Sequence, residues 1–119
     1  MKLESELQTA FLLLAPERLP ELRLFRRNVF VARVENRTVH AGIKGQCDLY
    51  GYVRGGRCLE IELKSASGRS RPDQLAWAAW CAEWGVPHVV LRGAAGETVR
   101  ETTERWCREL RGILGPPRD

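Results

Sequence analysis

The chain has 119 residues, enough for one hydrophobic core and too few for two, and no stretch approaches the roughly 18 uninterrupted apolar residues of a membrane helix. Its formal net charge of +4 is too mild to argue for a nucleic-acid partner alone. Cys47, Cys58, Cys81 and Cys107 form no Cys-x-x-Cys pair, which speaks against a zinc site, and the opening Met-Lys-Leu-Glu-Ser-Glu lacks the apolar core of a signal peptide, so the expectation is a cytoplasmic protein with reduced thiols.

In chain order, Leu3, Leu7, Ala10, Phe11 and Leu14 fall on one stripe at helical spacing and predict a helix over 3–15, ended by Pro16 and Pro20. Residues 24–34, rich in Val, Phe and Arg, predict one strand with an irregularity near Asn28. Residues 35–46, with Asn36, Gly42 and Gly45, read as a long connection. Residues 47–53 and 57–64 predict a hairpin around Gly55-Gly56. After a polar loop over 65–71, Ser70 and Asp73 give a capping-box pattern and Pro72 suits a first helical turn. The helix they open runs to Trp84, with Gly85 as its cap. A short strand over 88–92 and a third helix, opened by Thr98 with Glu101 and running to Leu110, complete the chain. The expected layout is one α/β domain over 1–114 with helices on a mixed sheet, and a flexible tail over 115–119.

The chemistry gathers on the hairpin. In Leu59-Glu60-Ile61-Glu62-Leu63-Lys64 the apolar residues point one way and Glu60, Glu62 and Lys64 the other. An ordinary solvated strand face would look the same. Two features favour a site. Asp48 lies on the partner strand, where Asp is disfavoured. A chain that otherwise prefers Arg and Glu has only three lysines and three aspartates, Lys64 and Asp48 among them. Two carboxylates and an ammonium are what a hard cation with a phosphate substrate needs: oxygen ligands for Mg²⁺, and a compact positive charge for the phosphate or the attacking water.

Register decides whether the set assembles. A two-residue Gly55-Gly56 turn pairs Arg54 with Arg57 and sets Asp48 opposite Leu63, pointing into the apolar layer. A three-residue loop with Gly56 left-handed pairs Val53 with Arg57 and sets Asp48 opposite Glu62; a bulge near Gly51 would do the same. The expectation is one such irregularity.

From about Leu3 to Leu91 the pattern resembles the PD-(D/E)xK nuclease superfamily, most closely its virus-type replication-repair nuclease branch, VRR-NUC. The resemblance is carried by Glu4-Ser5-Glu6-Leu7-Gln8, Arg27-Asn28, Gly42 and Gly45 before Asp48 and Gly51, Ile61-Glu62-Leu63-Lys64-Ser65, Gly68, and Pro72-Asp73-Gln74. Val29-Phe30 departs from it, since a Gly often follows the Arg-Asn pair. The resemblance implies a restriction-endonuclease-like αβββαβ core, here with an extra C-terminal helix. It also implies Mg²⁺- or Mn²⁺-dependent endonuclease activity on DNA phosphodiesters, and homodimers acting on branched DNA such as four-way junctions, in processes of DNA repair or phage replication. In that reading Asp48, Glu62 and the Leu63 carbonyl hold metal, and Lys64, Gln74 and Glu4 join the catalytic set. Glu4 and Glu6 flank the apolar stripe on opposite sides, and the family pattern favours Glu4. Gln74 could equally cap its helix.

Other candidates read more plainly. Glu60 is expected at an edge or surface, His40 in a polar loop, and His88 in a structural role. Trp77, Trp80, Trp84 and Trp106 suit a core or a dimer contact better than base stacking. Arg26, Arg27, Arg33, Arg54, Arg57, Arg69 and Arg71 cluster near the site in sequence, and Arg27, Arg54, Arg69 and Arg71 are the expected DNA contacts. Two function classes stand at this point: a metal-dependent endonuclease, cutting junctions or instead nicking or trimming flaps, and a nucleic-acid-binding or assembly domain that keeps the fold without chemistry. The retained acid–acid–lysine set favours the first.

Overall fold

The computed structural model describes residues 2–28 and 30–117; for residues 2, 3, 30, 31, 40 and 41 it describes the backbone alone. The chain begins with helix α1 (Lys2–Arg18). Its apolar stripe is seated through Phe11 and Ala15, both fully buried; Leu3's side chain lies outside the described residues. Pro16 does not end the helix as expected. A proline in the last turn forfeits only one intrahelical bond. The buried pair Ala15 and Leu19 keeps the turn closed, with the Leu19 N–H donating to the Ala15 carbonyl at 2.7 Å.

The single strand expected over 24–34 is two strands in different sheets, β1 (Leu22–Arg26) and β2 (Phe30–Val34). The connection expected over 35–46 contains a further strand, β3 (Arg37–Ala41), paired antiparallel with β2 from Phe30↔Ala41 to Val34↔Arg37. Glu35 and Asn36 turn the ribbon with φ of 48° and 64°. Two successive left-handed residues make the turn type that hairpins favour. It normally advertises itself with glycine, and here it does not. Val29, where the family pattern is broken, lies outside the described residues.

The main sheet has four strands in the order β1, β4 (Leu49–Val53), β5 (Arg57–Lys64), β6 (His88–Arg92). The β4–β5 hairpin is antiparallel, and β5 runs parallel to β6 through the crossover helix α2 (Pro72–Trp84). Helix α3 (Val99–Leu114) closes the chain. The molecule is therefore mixed α/β, with three helices and a mixed four-stranded sheet.

Strand alternation divides the sheet into two unlike faces. Leu22, Leu49, Val53, Leu59, Ile61, Val89 and Leu91 project into one core with Phe11 of α1 and Trp106 and Leu110 of α3. The Phe11 and Trp106 rings meet edge to face at 5.4 Å. Glu21, at the start of β1, accepts from Arg111 of α3 (Nη2 to Oε1, 2.9 Å), which holds its carboxyl below the usual carboxylate range. The other face carries Phe25, Tyr50, Tyr52, Glu60 and Glu62, and α2 packs on its β5–β6 half.

Helix α2 starts one residue later than the sequence pattern indicates. Arg71, not Ser70, is the N-cap. Gln74 Oε1 accepts the Arg71 N–H at 2.9 Å, and Asp73 Oδ1 accepts the Gln74 N–H at 3.0 Å. Pro72 loses nothing in the first turn. Gly85 is left-handed at φ 71° and ends the helix as expected. Helix α3 opens on the expected reciprocal cap: Glu101 N–H to Thr98 Oγ1 at 3.1 Å, and Thr98 N–H to Glu101 Oε1 at 3.0 Å. It runs four residues beyond Leu110, to Leu114.

Candidate active site

The hairpin turn sets the site. Val53 pairs with Arg57 across a loop of Arg54, Gly55 and Gly56, and both glycines have positive φ, 102° and 94°. The register continues to Leu49↔Ile61. The strand expected over 47–53 begins only at Leu49, so Asp48 lies in the bend just before β4 and not within it; continuing the register by one residue sets Asp48 opposite Glu62, and the Asp48 charge acts on the Glu62 carboxyl. Asp48 is fixed in this position by β5 itself: its Oδ2 accepts the Leu63 N–H at 2.9 Å. The loop that delivers Asp48 leans on the start of α2 at Gly45. With φ at 94°, a Cβ there would lie 2.2 Å from the Asp73 carbonyl oxygen, so only glycine allows the approach.

Glu62 is 3% exposed. Gln74 Nε2 donates to its Oε1 at 3.2 Å, while Oε2 is buried with no hydrogen-bond partner. Burial, reinforced by the Asp48 charge, pushes the Glu62 carboxyl up to about 8. A buried carboxylate oxygen without a donor is costly unless something positive meets it. Lys64 lies two residues on; its Nζ donates to Gln74 Oε1 and to the Arg69 carbonyl at 3.3 Å. Gln74 thus joins Glu62 to Lys64 and caps its own helix with the same amide. Gln74 caps its helix, as one of the two sequence readings has it, and also bonds the two β5 residues of the expected site.

Asp48, Leu63 and Lys64 line a cleft of about 470 Å³ at the C-terminal end of β5, walled also by Glu4 and Gln8 of α1 and by the turn at 93–97. Between the two acids left open by the sequence, Glu4 lines this cleft. Glu62 and Gln74 do not line it. Among the described residues no group of three or more His, Cys, Asp or Glu side chains is placed to hold a metal. The donor set at this point is two carboxylates and whatever backbone carbonyl and water join them. That composition fits Mg²⁺ or Mn²⁺, which keep several waters and take one or two carboxylates, and the unpartnered Glu62 Oε2 is the atom a cation would satisfy.

The arginines divide. Arg69 and Arg71 lie in the loop beside Lys64. Arg54 sits in the hairpin turn, six strand residues and about 20 Å from Asp48. Arg27 is engaged internally: both its terminal nitrogens bond the Glu60 carboxylate, Nη2 to Oε2 at 2.8 Å, and its guanidinium lies 4.8 Å from the Tyr50 ring centre. Glu60, expected at an edge or surface, is buried because Arg27 and the Trp77 indole N–H, at 3.1 Å, neutralise and satisfy it. No sequence pattern pairs Arg27 with Glu60, since they meet only across β4. His88 is half-buried and its pKa is lowered by burial; the side chain of His40 lies outside the described residues.

The cysteines are free thiols, Cys47, Cys81 and Cys107 buried and Cys58 exposed. Trp106 belongs to the core. Trp77, Trp80 and Trp84 stack along α2 with centroids 4.8 and 5.7 Å apart, and Trp80 and Trp84 remain exposed. No helix among the described residues is long and apolar enough to cross a membrane. Comparison with protein-family models, curated proteins and solved structures finds no match for this chain.

Proposed function

We propose that the chain is a divalent-metal-dependent endodeoxyribonuclease acting on branched DNA, built on a VRR-NUC-like core. The observation that carries this reading is the register that sets Asp48 opposite Glu62, with Lys64 and Gln74 bonded beside them. The elements of the main sheet support it: leaving aside the β2–β3 ribbon, they run helix, three strands, helix, strand, helix.

Asp48, Glu62 and the Leu63 carbonyl would hold Mg²⁺ or Mn²⁺, which when bound polarises a phosphate and acidifies a water. The protein's own groups supply the rest. Asp48, tied to the Leu63 N–H, keeps its carboxylate aimed without rearrangement. Lys64 offers a compact ammonium to the charge that grows on the phosphate oxygens as water attacks phosphorus and the P–O bond to the leaving group breaks. Gln74 fixes the relative positions of Glu62 and Lys64. Glu4, across the cleft, is the further acid of the set. Arg69 and Arg71 are placed to meet the DNA backbone beside Lys64. The protein acts as a homodimer, and the exposed Trp80 and Trp84 on α2 are the surface best suited to a second copy.

One observation favours a second reading, a nucleic-acid-binding or assembly domain without chemistry: Glu62 is almost fully enclosed and does not line the cleft. Cleavage assays on linear, flapped and four-way-junction DNA, with Mn²⁺ and with EDTA, separate the two. The nuclease reading predicts metal-dependent cutting, strongest on branched substrates; binding without cutting in every metal would leave the second.

A further inference from the structure

Helix α2 covers only the β5–β6 half of its sheet face. On the β1–β4 half three aromatic rings stand open: Phe25 is 42% exposed, Tyr52 is 58% exposed and Tyr50 is half-buried. They form one cluster. Phe25 pairs with Tyr50 across the strands and stacks on it at 5.4 Å and 27°, and Tyr52 meets both rings edge-on at 6.1 and 6.2 Å. Aromatic rings gathered on a sheet's solvent face forgo the burial that would ordinarily place them in a core.

The groove beside the rings carries positive charge, and a guanidinium already rests on one of them. Arg27 lies over Tyr50. Phe25 and Tyr52 border a shallow groove of about 590 Å³ whose wall also includes Arg23 and Arg54. Among the described residues the acids beside the rings are paired internally, Glu21 with Arg111 and Glu60 with Arg27, so the Arg27–Glu60 pair adds no net charge and the positive charge of the groove comes from Arg23 and Arg54. Tyr50 follows Asp48 by two residues in the same run of chain, about 7 Å.

We infer that Phe25, Tyr50 and Tyr52 form a stacking platform for the unpaired bases of single-stranded DNA, with Arg23 and Arg54 meeting its phosphates. Open rings flanked by unopposed arginines are the means by which sheets hold single strands without reading sequence. The inference rests on the nuclease reading for its purpose: it delivers a single-stranded arm to Asp48 and makes the preferred substrate a junction between duplex and single strand.

The test is fluorescence anisotropy of a labelled thymidine oligonucleotide and of a labelled blunt duplex, both in EDTA so that cleavage plays no part. Tyr52→Ala and Phe25→Ala should each weaken oligonucleotide binding by about ten-fold or more and leave duplex binding within two-fold. Tyr52→Phe, which keeps the ring, should bind as wild type does. Both side chains are exposed, and circular-dichroism melting checks that the variants fold. Equal oligonucleotide affinity in wild type and Tyr52→Ala overturns the platform, as does a wild-type dimer that Tyr52→Ala dissociates. Neither result touches the nuclease reading, which stands or falls on cleavage in Mn²⁺.

Discussion

Gln74 Nε2 lies 3.2 Å from Glu62 Oε1, and this one hydrogen bond joins the first turn of α2 to the most buried acid of β5. The same amide's oxygen receives the Lys64 ammonium and the Arg71 N–H. Removing it takes a partner from three polar groups, of which Lys64 keeps the Arg69 carbonyl. Gln74→Ala should lower stability by about 1–3 kcal/mol, read by urea unfolding, and should reduce turnover further than binding. Unchanged stability would mean that water replaces the amide and that Gln74 organises nothing.

Lys64 sits in a niche between Gln74 Oε1 and the Arg69 carbonyl, shaped for a point charge. Lys64→Arg keeps the charge but substitutes a planar fork. Turnover should fall by about 10²–10³-fold, the loss expected when one charge-stabilising donor is misplaced, with DNA binding largely kept. Near-normal turnover would reduce Lys64 to a surface cation.

Glu62 gives the protein a pH signature. Its folded-state pKa, about 8, lies above the ordinary 4.5, so between those values the folded form holds a proton that the unfolded form has released. Stability in EDTA should therefore fall as pH rises from about 4.5 to 8. Glu62→Gln, which cannot ionise, should remove that fall and melt above wild type at pH 8.5. Mn²⁺ should restore wild type there and leave Glu62→Gln unmoved. Parallel melting profiles for the two proteins would show that Glu62 is not destabilised by its charge.

Arg27 and Glu60 form a largely enclosed pair, with side chains 17% and 11% exposed. Arg27→Ala strands the carboxylate and should cost about 3 kcal/mol, the low end for breaking a buried pair. Arg27→Ala with Glu60→Gln should recover part of that loss. A cost below about 0.5 kcal/mol, typical of an exposed pair, would contradict the enclosed ion pair and return Arg27 to the role of a free phosphate contact.

Much of this was legible in the sequence because local chemistry is strong where the site is. Gly55-Gly56 allowed only a few turns, and either a three-residue loop or a bulge near Gly51 put Asp48 with Glu62; the pairing of Val53 with Arg57 is the three-residue loop. Thr98 with Glu101 and Gly85 marked helix ends by hydrogen bonds that any sequence reader can count. The β2–β3 ribbon was hidden because its turn uses Glu35 and Asn36 at positive φ, and a left-handed Glu leaves no compositional trace. The Arg27–Glu60 pair was hidden because it spans 33 residues. The cap at Arg71 was misplaced by one because Gln74 serves in the role that Asp73 resembles.

The proposed dimer is checked by sedimentation at micromolar concentration, where a homodimer is expected and Trp84→Ala should shift it toward monomer. A wild-type monomer would remove the second copy and favour nicking or flap cutting by a single site.

The most direct measurement is cleavage of an end-labelled four-way junction in Mn²⁺ by wild type and by Asp48→Asn, which preserves the side chain's shape and its bond from the Leu63 N–H while removing the charge opposite Glu62. Wild type should cut, and EDTA should abolish the cutting; Asp48→Asn should bind the junction without cutting it. Cutting by Asp48→Asn at the wild-type rate would contradict the proposed role of Asp48.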